Sequence, residues 1–167
     1  VHGIIIQMPL PAGIDPSRVT DALDPRKDVE GVHPTSLGLM VLRKARLIPS
    51  TPLACLTLID AAAIDCRGKE AVIVGQSAII GRPLALLLGD RRATITICNT
   101  GTSPARLEGL VRGADILVAC AGRPRLIAGS WIKEGACVID VGTTSVEGTL
   151  VGDVEFEEAK RRAKFIT

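Results

Sequence analysis

The sequence predicts an α/β protein: a parallel sheet with helices on both faces, preceded by part of a smaller α/β domain. Three observations carry that prediction. From residue 71 onward, apolar segments of strand length alternate with segments of helix length, an order that right-handed crossovers turn into a parallel sheet. The strand segments are unbroken runs of Val, Ile, Leu and Ala, as strands buried on both faces are. A glycine-bearing turn, GQSAIIG at 75–81, joins the first of these strands to its helix.

That first unit organises the chain. A buried strand at 71–74 feeds the turn, an apolar helix ends near Gly89, and a second buried strand follows at 94–98. A strand running into a helix aims the helix's unpaired N–H groups at one point, and the helix dipole adds positive charge there, so a diphosphate can settle at that spot. Gly75 permits the sharp bend. Ser77 can cap the first turn or donate to a phosphate oxygen, and Gly81 lets the helix lie close to the sheet. The pattern is that of a dinucleotide-binding, Rossmann-like half with one departure, G-x-S-x-x-x-G in place of G-x-G-x-x-G. Taken alone, the turn fits an unliganded strand–helix junction equally well.

Before this unit, an apolar run at 3–6 predicts a short strand that Pro9 and Pro11 prevent from continuing. Gln7 therefore stands at the carboxyl end of a strand, where open α/β sheets place ligands, although an amide that satisfies loop backbone accounts for it as well. A short helix is expected at 16–23. Asp28 and Glu30 beside Gly31 put two carboxylates in one loop where both can face a cleft, with solvated turn acids as the plainer alternative. His2 has no partner at metal-ligand spacing, and His33 before Pro34 is read as structural. A helix is expected from Thr35 or Ser36 with Leu37, Met40 and Val41 on one face. Thr51 and Pro52 read as N-cap and first residue of a helix through Leu53, Leu56 and Ile59. That helix divides the chain into 1–51, a connecting helix at 52–67, and a nucleotide domain at 68–167.

After the second strand, Ser103 and Pro104 start another helix, with Leu107, Leu110 and Val111 as its buried stripe and Gly113 as its end. Strands follow at 115–119 and 136–141, then a helix from about Val154 with acids early and bases late, and a last strand at 165–166. Small residues end every strand at one edge: Gly75, Asn99 and Thr100, Ala121 and Gly122, Gly142 and Thr143. A cofactor can lie along that edge.

Composition excludes several classes. The net charge of +2 is spread without a basic stripe, and only 2% of residues are aromatic, which leaves no stacking platform for nucleic acid. Five cysteines without a C-x-x-C predict reduced, buried thiols in a cytoplasmic protein and no metal site. No apolar run reaches membrane-spanning length. The chain opens on Val rather than Met, which reads as a fragment.

Five motifs in order, GIIIQMPLP, KDVEGVHP, VGQSAIIGRP, GSWIKEGACVIDVG and LVGDV, resemble the bifunctional methylenetetrahydrofolate dehydrogenase/cyclohydrolases along nearly the whole chain. The resemblance implies oxidation of 5,10-methylenetetrahydrofolate to the methenyl form with NADP, then hydrolysis to 10-formyltetrahydrofolate, in a cleft between a folate-binding domain and the nucleotide domain. It implies tetrahydrofolate derivatives as partners and a homodimer. Carried onto this chain, it gives Gln7 and Glu30 catalytic and folate-orienting roles, with Ile6 and Met8 lining the same strand end. Gly75, Gln76, Ser77 and Gly81 take the nucleotide turn, Thr100 the adenosine ribose or its phosphate, and Thr143 the nicotinamide end.

The departures are equally specific. The family's Tyr/Lys catalytic pair and its closing Pro/Gly-rich loop have no counterpart here, so the chain alone is expected to be inactive in hydrolysis. Glu30 replaces the usual Asp, Gln76 an arginine of some relatives, Ser50 a cysteine and Thr143 an isoleucine. The end of the second strand, CNTGT at 98–102, has no acid to repel a 2′-phosphate and two hydroxyls to bind one, which favours NADP with NAD as the alternative. A dehydrogenase without hydrolase activity, one for another substrate, and an inactive nucleotide-binding or dimerisation module are the competing readings.

Overall fold

A computed structural model describes residues 1–8 and 10–167; Pro9, one of the two prolines expected to stop the first strand, lies outside the described residues. Three helices come first, α1 (Pro16–Asp21), α2 (Pro34–Val41) and α3 (Ser50–Ala61). Next come β1 (Glu70–Val74), α4 (Gly81–Asp90), β2 (Thr94–Cys98), α5 (Pro104–Gly113) and β3 (Ile116–Ala119). A 3-10 turn at Gly129–Trp131 leads to β4 (Cys137–Asp140), the strands β5 (Thr144–Val146) and β6 (Thr149–Val151), α6 (Phe156–Arg162) and β7 (Phe165–Ile166).

The expected parallel sheet is present in the order β2-β1-β3-β4-β7, with β1 and β3 at its centre. Strand alternation divides the core into two layers. Ala71 and Ile73 face Leu56 and Ile59 of α3 and Leu84 and Leu88 of α4, whereas Val72 and Val74 face Leu107 and Val111 of α5 and Ala159 of α6. Ile73, Leu84, Leu88, Ile116 and Val118 are fully buried, each stabilising the fold by roughly 1.5–3 kcal/mol relative to exposure.

The helix starts follow local chemistry. Ser103 accepts the Arg106 N–H at 3.4 Å with Pro104 as first residue of α5, as expected. His33 is structural too: its ring Nδ1 accepts the Thr35 N–H at 3.0 Å and starts α2 at Pro34, one residue before the earliest expected position. Thr51, in contrast, is not an N-cap. α3 begins at Ser50 after Pro49, which has no side-chain acceptor to offer.

Several expectations differ from the structure. Among the described residues, the run at 3–6 forms only one bridge, Ile4 to Asp28, and Ile5 is 63% exposed. Val41 and Leu53 lie outside their predicted stripes, at 63% and 45% exposure, while Met40, Cys55 and Leu56 take the buried positions. The last helix starts at Phe156 because Val154 is bridged to Ile127 instead. The β5–β6 hairpin was not expected; it turns on Glu147 and Gly148, both at positive φ (50° and 81°).

Candidate functional site

Residues 75–81 are built by contacts that only glycine allows at two positions. Gly75 has φ 127°, and a Cβ there would stand 2.4 Å from the backbone oxygen of Cys120, so the end of β1 lies directly on the end of β3. Gly81 is as close-packed: a Cβ on it would meet the Gly75 carbonyl oxygen at 2.1 Å, so the start of α4 lies directly on the residue that ends β1.

Ser77 caps the turn: its hydroxyl oxygen accepts the Ile80 N–H at 3.1 Å, and its carbonyl accepts the Arg82 N–H at 3.1 Å. The hydroxyl proton remains available to donate. Among the described residues, the N–H groups of Gln76, Ser77, Ala78 and Ile79 have no hydrogen-bond partner within the protein. Successive unpaired donors ahead of a ten-residue helix suit a diphosphate, so the residues present fit the group that the turn implies.

The end of β2 is tied to this turn. Asn99 donates from Nδ2 to Gln76 Oε1 (3.3 Å), accepts the Gly101 N–H at Oδ1 (2.8 Å), and its own N–H donates to the Thr102 hydroxyl (3.1 Å). Together, Gly75, Gln76, Ser77, Asn99, Thr100 and Thr102 line a cavity of about 540 Å³, closed by Leu107, Leu126, Trp131 and Arg123. Among the described residues, no Asp or Glu lines it. Its cysteines are protonated thiols, since burial pushes Cys120 up to about 12 and raises Cys98 as well.

A second cavity, of about 380 Å³, lies on the other side of the same turn. Ile6, Gln7, Met8 and Glu30 line it with Leu37, Ser50 and Thr51, and residues 78–80 close it. Gln7 Nε2 donates to the Met8 carbonyl at 3.2 Å, so its amide also satisfies loop backbone. The turn is thus a shared wall, with 75–77 facing one cavity and 78–80 the other. Thr143 is exposed and lines neither; its hydroxyl donates to the Val141 carbonyl at 3.4 Å.

The two loop carboxylates do not share the cleft. Glu30 lines it, but Asp28 is 3% exposed and organises the loop from inside. One of its oxygens accepts the N–H groups of Glu30, Gly31 and Val32 (3.2, 2.9 and 3.3 Å); the other accepts the His33 N–H (2.9 Å) and the Ser36 hydroxyl (2.6 Å). Burial pushes the Asp28 carboxyl up, yet Ser36 and the N–H donors outweigh it and hold the group below the ordinary carboxylate value. A pKa lowered on folding stabilises the protein above the unfolded value, about 3.9, and the gain disappears as pH falls through the lower folded value. Urea denaturation is therefore expected to show stability falling in the window below about pH 4, and Asp28→Asn is expected to flatten that acid limb.

Two further carboxylates escaped the sequence reading. Asp153, fully buried, accepts the N–H groups of Ala121 (2.6 Å), Gly122 (2.9 Å) and Arg123 (2.7 Å). Asp140 accepts those of Gly142 (2.9 Å), Asp153 (3.1 Å) and Val154 (2.9 Å), and burial, with the Asp153 charge adding to it, raises its carboxyl above the ordinary range. The signal available was the aspartate of LVGDV; nothing in the spacing showed which loop it serves. Arg123 also went unmarked, although it directly follows the small residues that end β3.

Residues 49–167 match the family model described as "Tetrahydrofolate dehydrogenase/cyclohydrolase, NAD(P)-binding domain". The chain is 48% identical over 168 residues to bifunctional protein FolD 2 of Geobacter sulfurreducens, all of this chain aligning with 58% of that protein. It is 38% identical to the Trypanosoma brucei methylenetetrahydrofolate dehydrogenase-cyclohydrolase solved with NADP and an inhibitor, with TM-score 0.93 over 99% of this chain and 59% of that one. The Campylobacter jejuni FolD structure gives 39% identity and TM-score 0.93 over the same shares. The chain spans about three fifths of the length of the relatives it matches.

Proposed function

Since the chain belongs to the tetrahydrofolate dehydrogenase/cyclohydrolase family, through its NAD(P)-binding domain, we propose that it binds NADP in the 540 Å³ cavity and a reduced folate in the 380 Å³ cleft. On this reading it forms the nucleotide side, and part of the folate side, of an enzyme that oxidises 5,10-methylenetetrahydrofolate and hydrolyses the methenyl product to 10-formyltetrahydrofolate. The division expected from the sequence, a folate-facing part at 1–51 and a nucleotide part at 68–167, suits this arrangement.

The observation that supports it is the shared wall at 75–80, which lets two ligands meet across one turn. NADP, when bound, supplies the hydride acceptor. The protein's part in such a transfer is positioning and the exclusion of water, with little acid–base chemistry. The N–H groups of Gln76 and Ser77 and the Ser77 hydroxyl hold the diphosphate, the neutral end of β2 receives the adenosine ribose, and Gln7 and Glu30 orient the folate from the opposite side. Ile6, Leu37 and Ile79 give the folate cleft apolar walls.

Trp131, the chain's one tryptophan, lines the nucleotide cavity and reports on it. Titration with NADP is expected to change its fluorescence saturably, and Ser77→Ala is expected to weaken that binding about 10-fold, the worth of one hydrogen bond to a charged group. Methenyltetrahydrofolate is expected to bind the same chain and to lose affinity in Glu30→Ala but not in Ser77→Ala. Saturation by neither ligand overturns the reading.

A further inference from the structure

We infer that Arg123 selects the phosphorylated dinucleotide, its guanidinium pairing with the 2′-phosphate of the adenosine ribose. The inference rests on the nucleotide reading of the 540 Å³ cavity and assigns the part of that cavity which no other side chain equips. A 2′-phosphate brings roughly −1.5 to −2 charge at neutral pH, and a charge moved out of water needs a partner. Gln76, Asn99, Thr100 and Thr102, at the end of β2 where such sheets receive the ribose, are all neutral, and Gln76 and Asn99 are already bonded to each other. Among the described residues that line the cavity, Arg123 is the one charged side chain.

Its placement is fixed by the backbone. The Arg123 N–H donates to Asp153 Oδ1 at 2.7 Å, and the same buried carboxylate holds Ala121 and Gly122, so the loop is set before any ligand arrives. The side chain itself is exposed and, among the described residues, makes no ion pair. A planar guanidinium offers the paired donors that a phosphate accepts two at a time, which an amide or hydroxyl cannot. Anchored backbone and free fork together make a positioned but uncommitted cation. The rival is Arg106 on α5, which opposes the burial that raises the Cys98 thiol but stands outside the cavity lining.

The test follows Trp131 fluorescence in the 167-residue chain titrated with NADP, NAD, 2′,5′-ADP and 5′-AMP. Arg123→Gln is expected to weaken NADP and 2′,5′-ADP about 10- to 100-fold while changing NAD and 5′-AMP by less than about twofold. Arg123→Lys, which keeps the charge but not the fork, is expected to fall between, and Arg106→Gln to match the wild type. A structural role for Arg123 would weaken both members of each pair alike. Equal losses, no loss, or loss of preference in Arg106→Gln instead overturns the assignment. If the wild type binds the nucleotides and Arg123→Gln keeps the preference, only the arginine is misassigned; if the wild type binds none of the four, the nucleotide reading falls and the assignment with it.

Discussion

Gly75→Ala is expected to lose at least about 3 kcal/mol of stability and about 100-fold or more in NADP affinity. Two independent penalties meet at this position. At φ 127° an L side chain is strained, which costs on the order of 1–3 kcal/mol. The new methyl would also stand 2.4 Å from the Cys120 oxygen and 2.8 Å from its carbonyl carbon, and these are backbone atoms at the end of a central strand that cannot swing aside as a side chain could. Relief requires parting β1 from β3 at the point where the turn begins, and that displaces the N–H groups of 76–79. Gly109→Ala is the control. Gly109 lies inside α5 with nothing within 4 Å of its Cβ position, so the same change there is expected to stabilise by about 0.5–1 kcal/mol. Urea denaturation of both variants with Trp131 titration separates the outcomes; a Gly75→Ala protein as stable and as tightly binding as wild type removes the turn from the site.

This contrast also marks what the sequence could reveal. The positions of Gly75 and Ser77 were legible because the backbone of a tight strand–helix turn demands those residue types locally. The five parallel strands were legible for a similar reason, as apolar runs of the right length between helix signals. Legibility ended where structure depended on a distant partner. The run GIII predicts a strand at 3–6, but a strand needs a neighbour to bond with, and among the described residues only Ile4 finds one. The β5–β6 hairpin has three-residue strands, mostly exposed, and an unusual Glu-Gly turn, so it offers neither hydrophobic alternation nor the Asn-Gly signal. Asp28 and Glu30 stand two apart and read alike, yet one is taken up by five donors and the other faces the cleft. Arg123 matters through Asp153, 30 residues away, and no periodicity reports such a pairing.

Asp153→Ala is expected to cost about 3 kcal/mol, since three backbone N–H groups lose their shared acceptor at about 1 kcal/mol each. The carboxylate is fully buried and receives three N–H groups at 2.6–2.9 Å, all of which lose this acceptor in the variant. The Asp140 carboxylate is engaged with Gly142, Asp153 and Val154, and Gly142 and Gly152 are glycine because a Cβ on either would lie 2.3 Å or less from one of these two side chains. The damage should therefore be local in origin and two-fold in effect. Global stability to urea falls, and, at denaturant concentrations where the variant is still folded, hydrogen exchange at Ala121, Gly122 and Arg123 speeds up. Because Arg123 loses its anchor while keeping its charge, the preference for NADP over NAD should shrink without reaching the level of Arg123→Gln. Asp153→Asn keeps one acceptor oxygen in place, and about half of the stability loss is expected to return. An Asp153→Ala protein within about 0.5 kcal/mol of wild type would mean that the 121–123 loop is held by other contacts and that the nucleotide edge owes nothing to this carboxylate.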